Sequence, residues 1–236
     1  HTNDRRQRQM CIRDRMSLPR PHWLCFDLDG TLIDSVPDIA HSVNIMLTQL
    51  NLQAVAETEV RAWIGNGAAK LVERALQHTN DNFSAAQLKS AQSLFFGAYK
   101  DNMARHSQLF PDCLSTLEHF QKQHIPLACV TNKPRQFTQP LLAQMKLDGF
   151  FRALVCGDDL MTKKPHPAPL LHAVEQLAGQ PQQGYMIGDS QTDMETAARA
   201  GTGAIYVTYG YNRGISVDDY QPIVIDQLKQ LIQLFG

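Results

Sequence analysis

The chain has 236 residues, 43% of them hydrophobic and 19% charged, which is enough to bury the core of one large domain or of one domain that carries a smaller one. A formal net charge of -1 gives no reason to expect nucleic acid or an anionic membrane as a partner. The five cysteines form no CxxC pair, and no apolar stretch reaches the roughly 18 residues of a membrane span. We therefore expect reduced thiols and a cytoplasmic location, and we expect a monomer or a weak homodimer.

The first 20 residues carry six Arg, show no apolar period and begin without Met. This composition predicts that residues 1–20 are an extension, disordered or foreign to the protein, ahead of a start at Met16. A mitochondrial address fits less well, because the segment is poor in Ser and contains Asp4 and Asp14.

The first predicted strand is the apolar run at residues 23–26, and two acids, Asp27 and Asp29, stand at its end. Side chains two residues apart share one face of a strand, and Gly30 permits the sharp turn that ends it. Two carboxylates at the edge of a core raise each other's pKa, so a compensating cation is expected, and Mg2+ prefers such oxygen ligands. The alternative, a turn with solvated acids, fits Asp-Gly alone but fits the full string DLDGTLIDS less well.

A run of helices follows the first strand. Apolar residues at three- and four-residue spacing predict a helix over residues 37–50. Three further helical segments follow without an intervening strand, at residues 57–64, 68–77 and 84–106. This pattern predicts a small all-helical cap domain at residues 36–107, with hinges near residues 35–37 and 107–109.

Beyond residue 108 short apolar strands alternate with helices, a pattern typical of a parallel sheet with helices on both faces. The strands are predicted at residues 127–130, 153–156, 185–187, 204–207 and 223–224, and the helices near residues 114–124, 135–145, 167–178 and 192–200. We therefore expect an α/β fold in which a doubly wound parallel sheet is formed by residues 21–35 and 108–236. In such sheets the site lies at the carboxyl ends of the strands.

Polar residues stand where these strands end. Thr131 and Asn132 follow one strand, and Asp189 follows another, with Asp193 four residues further on. As isolated signals, Thr131 and Asp189 also fit the commoner role of helix caps. A pair of lysines at residues 163–164 opens a predicted helix, which the helix dipole disfavours unless an anion lies nearby. The unfavourable position of these lysines therefore indicates a functional role.

The order of these motifs resembles that of the haloacid dehalogenase-like phosphohydrolases: DxDGT, a Thr after the second strand, K-P-x-P and GDxxxD. The resemblance extends over residues 22–235. It implies a Rossmann-like core with a helical cap, a Mg2+ cofactor, a small phosphate ester as substrate and an aspartyl-phosphate intermediate. The dehalogenases of that family lack the second acid, so Asp29 indicates phosphoryl chemistry, and a phosphoric monoester hydrolase is implied.

The resemblance also implies catalytic roles. Asp27 would be the nucleophile, and Asp29 would serve as acid and then as base. Thr131 would hydrogen-bond the transferring phosphoryl group, as would the backbone N–H of Asn132. Lys164 would neutralise the nucleophile and the phosphoryl oxygens as charge develops.

A metal site is implied by the same motifs. The ligands of Mg2+ would be Asp27, the main-chain carbonyl oxygen of Asp29 and Asp189. Asp193 would orient Lys164 or a metal-bound water instead of binding the ion directly.

The cap carries a Gly-Asn-Gly turn within residues 63–67, and the core carries TYGYN at residues 208–212. Together with the lysine motif these resemble a bacterial branch of the family that hydrolyses 2-phosphoglycolate. The likeness implies that substrate, with Asn66, Gly67 and Arg74 as contacts from the cap. The two tyrosines of TYGYN fit a packing role equally well.

Several alternatives stay open at the level of sequence. The same chemistry could act on another small phosphate ester, such as a sugar phosphate or pyrophosphate, and a phosphomutase is a variant of it. A non-catalytic phospho-acceptor module also uses an Asp, a Thr and a Lys around Mg2+, but the chain length, Asp29 and the helical insert disfavour it. A catalytically dead scaffold is disfavoured because every motif residue is present.

Overall fold

The central sheet has six strands, all parallel. The computed structural model describes residues 18–79, 82–211 and 214–235, so most of the predicted extension at residues 1–20 lies outside the described residues. The sheet contains β1 (Trp23–Phe26), β4 (Leu127–Val130), β5 (Phe151–Val155), β6 (Gly184–Gly188), β7 (Gly203–Val207) and β8 (Ile223–Ile225), while β2 (Ile33–Asp34) and β3 (Gln108–Leu109) pair separately. The order is β5-β4-β1-β6-β7-β8, which confirms the predicted parallel α/β sheet and places β1 in its middle.

Nine α-helices belong to the described ranges. They are α1 (Val36–Gln49), α2 (Glu57–Trp63), α3 (Ala68–Thr79), α4 (Ala85–Asn102), α5 (Cys113–Lys122), α6 (Arg135–Gln144), α7 (Ala168–Gln176), α8 (Gln191–Ala200) and α9 (Gln230–Phe235). Each of them is too short or too polar to traverse a lipid bilayer. The helix predicted over residues 84–106 ends earlier, at Asn102, because Met103 is extended and Ala104 takes a φ of +62°.

Alternate residues of β1 divide the core into two layers. Leu24 and Phe26 belong to an apolar cluster that includes residues of α5, α6 and α9. Trp23 and Cys25 belong to a second cluster, which includes residues of α7 and α8. Successive side chains of a strand point to opposite faces, so a strand buried on both faces reads as a continuous apolar run. This burial on both faces explains why the continuous apolar run at residues 23–26 predicted β1.

Helices α1 to α4 surround an apolar cluster of their own, which contains Phe95 and Tyr99. Phe137 of α6 joins it, with its ring centroid 5.4 Å from that of Phe96 and 5.1 Å from that of Tyr99. We propose that residues 36–107 form a cap on a core of residues 21–35 and 108–236. The separate apolar cluster of these helices supports this division.

A short antiparallel ribbon lies where the chain enters and leaves the helical segment. Ile33 of β2 pairs with Leu109 of β3, and Asp34 pairs with Gln108. The sequence indicated hinges here but did not predict the ribbon, because a strand of two residues has no measurable period.

Asp38, in the first turn of α1, ties the two connecting segments together. Its carboxylate accepts hydrogen bonds from the backbone N–H groups of His106 and Ser107, both at 2.9 Å, and from the Ser107 hydroxyl at 2.5 Å. The side chain is fully buried and satisfies three donors, two of which belong to the buried Ser107.

Replacing this acceptor should destabilise the fold. In Asp38→Asn the amide places an NH2 donor against an N–H donor, and we expect a loss of about 1–3 kcal/mol in the free energy of unfolding. Urea denaturation followed by circular dichroism measures it. Asp101→Asn, an exposed position of α4, is the matched control and should change stability by less than about 0.5 kcal/mol. Equal urea midpoints for the two variants would contradict the role of Asp38.

Candidate active site

The site is built from segments that follow three neighbouring strands. Asp27 follows β1, Thr131 follows β4, and Asp189 follows β6. Phe26 pairs in parallel register with Cys129 of β4 and Ile187 of β6, and the Asp27 N–H donates to the Ile187 carbonyl at 2.9 Å. The carboxyl ends of the three strands therefore meet at one edge of the sheet, which brings together residues that are far apart in sequence.

Lys164 lies between two of the acids. Its Nζ is 2.8 Å from Oδ1 of Asp27 and 2.6 Å from Oδ1 of Asp193, and its side chain is buried. Burial disfavours the ammonium, but the two carboxylates outweigh it and raise the pKa of Lys164 above its usual value. Lys164 is therefore a permanent cation in contact with Asp27.

Oxygens of Asp27, Asp189 and Asp193 lie within 4.8 Å of one another, and all three residues are buried. Burial raises the pKa of Asp27 to about 7, although Lys164 acts in the opposite direction. Burial and the charges of Asp193 and Asp27 raise the pKa of Asp189 well above its usual value. Three carboxylates face one ammonium, so the cluster has the hard oxygen donors and the uncompensated charge that fit a divalent cation such as Mg2+.

Asp193 and Asp189 accept hydrogen bonds from different parts of the protein. Asp193 Oδ1 accepts from Lys164, and its Oδ2 accepts from the Ser190 hydroxyl at 2.6 Å and from the Ser190 N–H at 3.2 Å. Asp189 Oδ1 accepts from the Thr31 hydroxyl at 3.1 Å, and its Oδ2 from the Tyr211 N–H at 2.7 Å. Asp193 therefore contacts the Lys164 ammonium, and its role of orienting that lysine stays a prediction.

Two glycines allow the close approach of backbone to Asp189. A Cβ on Gly210 would lie 2.2 Å from Cβ of Asp189, and a Cβ on Gly30 would lie 2.3 Å from its Oδ2. Gly30 also has a φ of +90°, which L side chains rarely adopt. The Asp189 side chain thus sits between two chain segments, both of which need glycine.

Asp29 has a different environment from Asp27. Its Oδ1 accepts from the Ser35 hydroxyl at 2.5 Å, and both carboxylate oxygens lie 3.1 Å from Nζ of Lys133. Lys133 is 7% exposed, and its ammonium lies 4.7 Å from the centre of the Tyr99 ring. Burial disfavours the ammonium, but Asp29 and Tyr99 raise the pKa of Lys133 above its usual value.

Sequence reasoning assigned no role to Lys133. The available signal was a lysine directly after Thr131 and Asn132, at the end of a buried strand. Nothing local to that lysine indicated its partners, since Asp29 and Tyr99 are far from it in sequence.

The loop between α2 and α3 reaches the core. Nδ2 of Asn132 donates to the Gly65 carbonyl at 3.1 Å and to the Lys164 carbonyl at 2.9 Å. Nζ of Lys163 donates to the Asn66 carbonyl at 3.0 Å. Lys163 is exposed, yet it contacts the cap. The side chain of Asn132 therefore connects the cap loop to the lysine loop.

Arg74 and Asn66 bond to each other. The guanidinium of Arg74 donates to the Trp63 carbonyl at 2.6 Å and to Oδ1 of Asn66 at 2.8 Å. Neither residue lines the cavity described below, whereas Gly67 does. Substrate contact by Asn66 and Arg74 stays a prediction, and in this structure the pair braces the loop that carries Gly67.

A cavity of about 50 Å³ lies between the cap and the core. Its polar lining comes from Asp27, Asp29, Thr131, Asn132 and Lys133. Its apolar lining includes Ile39, Leu71 and Phe95 of the helical segment, together with Phe137 of α6. The predicted nucleophile and the predicted acid therefore line the same small cavity.

The two tyrosines of the 208–212 segment do more than pack. The hydroxyl of Tyr209 donates to the Thr31 carbonyl at 2.8 Å. The hydroxyl of Tyr211 accepts from the Ser35 N–H at 2.9 Å and lies 2.9 Å from Oδ1 of Asp34. Because the Tyr211 backbone also holds Asp189, this residue connects the acidic cluster to β2. Asn212 lies outside the described residues.

Known proteins share this sequence and fold. Residues 24–207 match the family model for haloacid dehalogenase-like hydrolases. The chain is 39% identical over 221 residues to a phosphoglycolate phosphatase of Nitrosococcus oceani, covering 93% of this chain and 98% of that protein. It is 42% identical over 215 residues to a phosphoglycolate phosphatase of Pseudomonas putida, covering 90% and 79% respectively. The crystal structure of a predicted phosphoglycolate phosphatase from Haemophilus somnus is similar with a TM-score of 0.87 and 34% identity, covering 91% and 98%.

The close approach at Gly210 generates a stability prediction. In Gly210→Ala the added methyl group would overlap Asp189, so we expect a loss of about 1–3 kcal/mol or more in the free energy of unfolding. Gly97→Ala is the matched control, because no atom lies within 4 Å of the added Cβ on the exposed side of α4. Alanine favours a helix, so that variant should be about 0.5–1 kcal/mol more stable. Urea denaturation of both variants measures the difference, and a Gly210→Ala protein as stable as Gly97→Ala would refute the contact.

Proposed function

The chain belongs to the haloacid dehalogenase-like hydrolase family, and from that premise we propose that it hydrolyses 2-phosphoglycolate to glycolate and phosphate. Relatives about 40% identical over nine-tenths of the chain are phosphoglycolate phosphatases, which are phosphoric monoester hydrolases. The observation that carries the proposal is the position of Asp27. It contacts Lys164, belongs to the buried acidic cluster, and lines the same cavity as Asp29.

Asp27 is the nucleophile in this proposal. Lys164 holds one of its oxygens, which favours the ionised form against the effect of burial. A lone pair of the carboxylate forms the new bond to phosphorus as the bond from phosphorus to the glycolate oxygen breaks. The product of this step is an aspartyl-phosphate on Asp27.

Asp29 transfers protons in both steps. As an acid it protonates the departing alkoxide of glycolate, and as a base it then takes a proton from the water that attacks the aspartyl-phosphate. The second attack releases phosphate and restores the Asp27 carboxylate. Asp29 is suited to this work because its carboxylate lines the cavity and is held by Ser35 and Lys133.

Lys164, Thr131 and Asn132 hold the phosphoryl group. The Lys164 ammonium lies against Asp27 and so stands where negative charge grows on the phosphoryl oxygens. The Thr131 hydroxyl and the backbone N–H of Asn132 donate to the same oxygens. Both residues line the cavity, which supports these roles.

Mg2+ fits the acidic cluster. Asp27, Asp189 and the main-chain carbonyl oxygen of Asp29 would hold the ion, and Asp193 would keep Lys164 in place. When bound, Mg2+ supplies positive charge that stabilises the transferring phosphoryl group.

We assign the reaction to the cytoplasm. The four described cysteines are free and buried, which is the state that a reducing compartment maintains. A monomer or weak homodimer remains our expectation for the assembly.

Removal of the nucleophile should abolish turnover. In Asp27→Asn we expect phosphate release from 2-phosphoglycolate to fall roughly 10³-fold or more, because the amide cannot form the acyl phosphate. EDTA should have a similar effect on the unmodified protein. Asp148→Asn, at an exposed position, is the matched control and should keep full activity. Undiminished turnover by Asp27→Asn would contradict covalent catalysis.

The same assay compares substrates. We expect kcat/KM for 2-phosphoglycolate to exceed that for a hexose phosphate by about 10-fold or more, because the cavity is small, and to exceed that for pyrophosphate as well. Equal turnover of all three would contradict the proposed substrate while leaving the phosphatase chemistry intact.

Metal binding can be measured without turnover. Mg2+ at about 100 times its Kd should stabilise the folded protein by about 2.7 kcal/mol, visible as a rise in Tm. Asp189→Asn should lose most of this rise, because one ligand oxygen becomes an amide nitrogen. Asp148→Asn should retain it. A Tm that responds equally to Mg2+ in both variants would remove Asp189 from the metal site.

A further inference from the structure

We propose that Lys133 and the Tyr99 hydroxyl form a subsite for the carboxylate of the substrate, and that this subsite selects phosphate esters with an anionic leaving group. The inference rests on the proposed function, because it concerns the non-phosphate end of the same substrate.

Lys133 supplies a buried positive charge to the cavity. Of the described residues that line the cavity, Lys133 is the one Lys or Arg, whereas Asp27 and Asp29 are both acidic. Its ammonium has three N–H donors. Asp29 engages it through both oxygens at 3.1 Å, and the Tyr99 ring covers another side. A second carboxylate that shared this ammonium would meet little competition from water, because the apolar walls exclude it.

Two buried polar atoms of the cavity lining make no hydrogen bond of standard geometry among the described residues, although Lys133 interacts electrostatically with the Tyr99 hydroxyl. They are the Tyr99 hydroxyl and Oδ1 of Asn132, in residues that are 2% and 7% exposed. An unpaired buried polar group costs free energy, so each indicates a ligand or water that completes the site. Burial raises the pKa of Tyr99 to about 12, so at neutral pH the hydroxyl keeps its proton and can donate to a carboxylate oxygen.

The two buried lysines suit a short phosphate ester that carries negative charge at both ends. The phosphoryl group is assigned to Asp27 and Lys164, at the edge of the sheet. Lys133 lies beyond Asp29 on the cap side, where it meets Tyr99 of α4. We therefore place the phosphoryl group beside Lys164 and the carboxylate of the two-carbon leaving group beside Lys133.

The surroundings of Lys133 make charge recognition effective. Ile39, Phe95 and Phe137 line the same cavity and leave it largely apolar. Electrostatic interactions are stronger in such an environment than in water. An ester with an uncharged leaving group of the same length gains nothing from Lys133, and this difference is the basis of the expected selectivity.

The test compares two esters in each variant: 2-phosphoglycolate and 2-hydroxyethyl phosphate, which replaces the carboxylate with a neutral alcohol. We expect the unmodified protein to prefer the carboxylate ester in kcat/KM by at least about 10-fold. In Lys133→Met this ratio should fall about 10-fold or more, mainly through KM. Lys122→Met is the matched control, since that side chain is 79% exposed, and its ratio should not change. The ratio cancels any difference in the fraction of folded enzyme.

Tyr99→Phe tests the second group of the subsite. It keeps the ring against Lys133 and removes only the hydroxyl, so we expect the ratio to fall about 3- to 10-fold. An unchanged ratio would exclude the hydroxyl from the subsite.

Binding gives an independent measurement. In an Asp27→Asn background, calorimetry should show that Lys133→Met weakens the binding of 2-phosphoglycolate about 10-fold or more relative to that of 2-hydroxyethyl phosphate. Equal affinities of the single and double variants for 2-phosphoglycolate would overturn the inference even if turnover were absent.

The outcomes separate the two proposals. If the unmodified protein prefers 2-phosphoglycolate and Lys133→Met keeps that preference, the subsite is refuted and the proposed function stands. If Lys133→Met lowers turnover of both esters equally, Lys133 only positions Asp29 and the subsite is again refuted. If the unmodified protein hydrolyses both esters equally, the proposed substrate fails as well.

Discussion

The burial of several carboxylates at one edge of a sheet is the constraint on which this structure depends. Asp27, Asp189 and Asp193 come from segments that follow β1 and β6, and their proximity would be unfavourable without cations. Lys164, in the loop before α7, neutralises part of that negative charge. Lys133, in the segment after β4, forms an ion pair with Asp29. The parallel register of β4, β1 and β6 brings the acids and Lys133 to one edge of the sheet, and the segment that follows β5 adds Lys164.

The same acids also organise the contact between the sheet and the helical segment. Tyr211 holds Asp189 with its backbone and the start of α1 with its hydroxyl. Asn132 joins the Lys164 loop to Gly65 of the cap. Each connection is a hydrogen bond made by a buried residue, so the position of the cap is coupled to the geometry of the residues around Asp27. A small cavity between the two parts follows from this arrangement.

Much of this could be predicted from the sequence, because the signals were local. A strand buried on both faces reads as an apolar run, and acids directly after such runs mark the carboxyl edge of the sheet. The β2–β3 ribbon escaped prediction because two residues show no period. The partnership of Lys133 with Asp29 and Tyr99 escaped it because it depends on tertiary packing between the cap and the core. The guanidinium of Arg74 bonds to its own loop, and sequence spacing gives no information on where a long flexible side chain is directed.

Phe137 gives the cap the character of a latch. This ring belongs to α6 of the core, yet it is 2% exposed because Phe96 and Tyr99 cover it. A cap that swung away would hydrate the ring, at a cost of about 2–3 kcal/mol. The burial of this one ring therefore contributes a factor of roughly 100 to the preference for the closed arrangement. A closed cap would keep bulk solvent away from the aspartyl-phosphate proposed on Asp27.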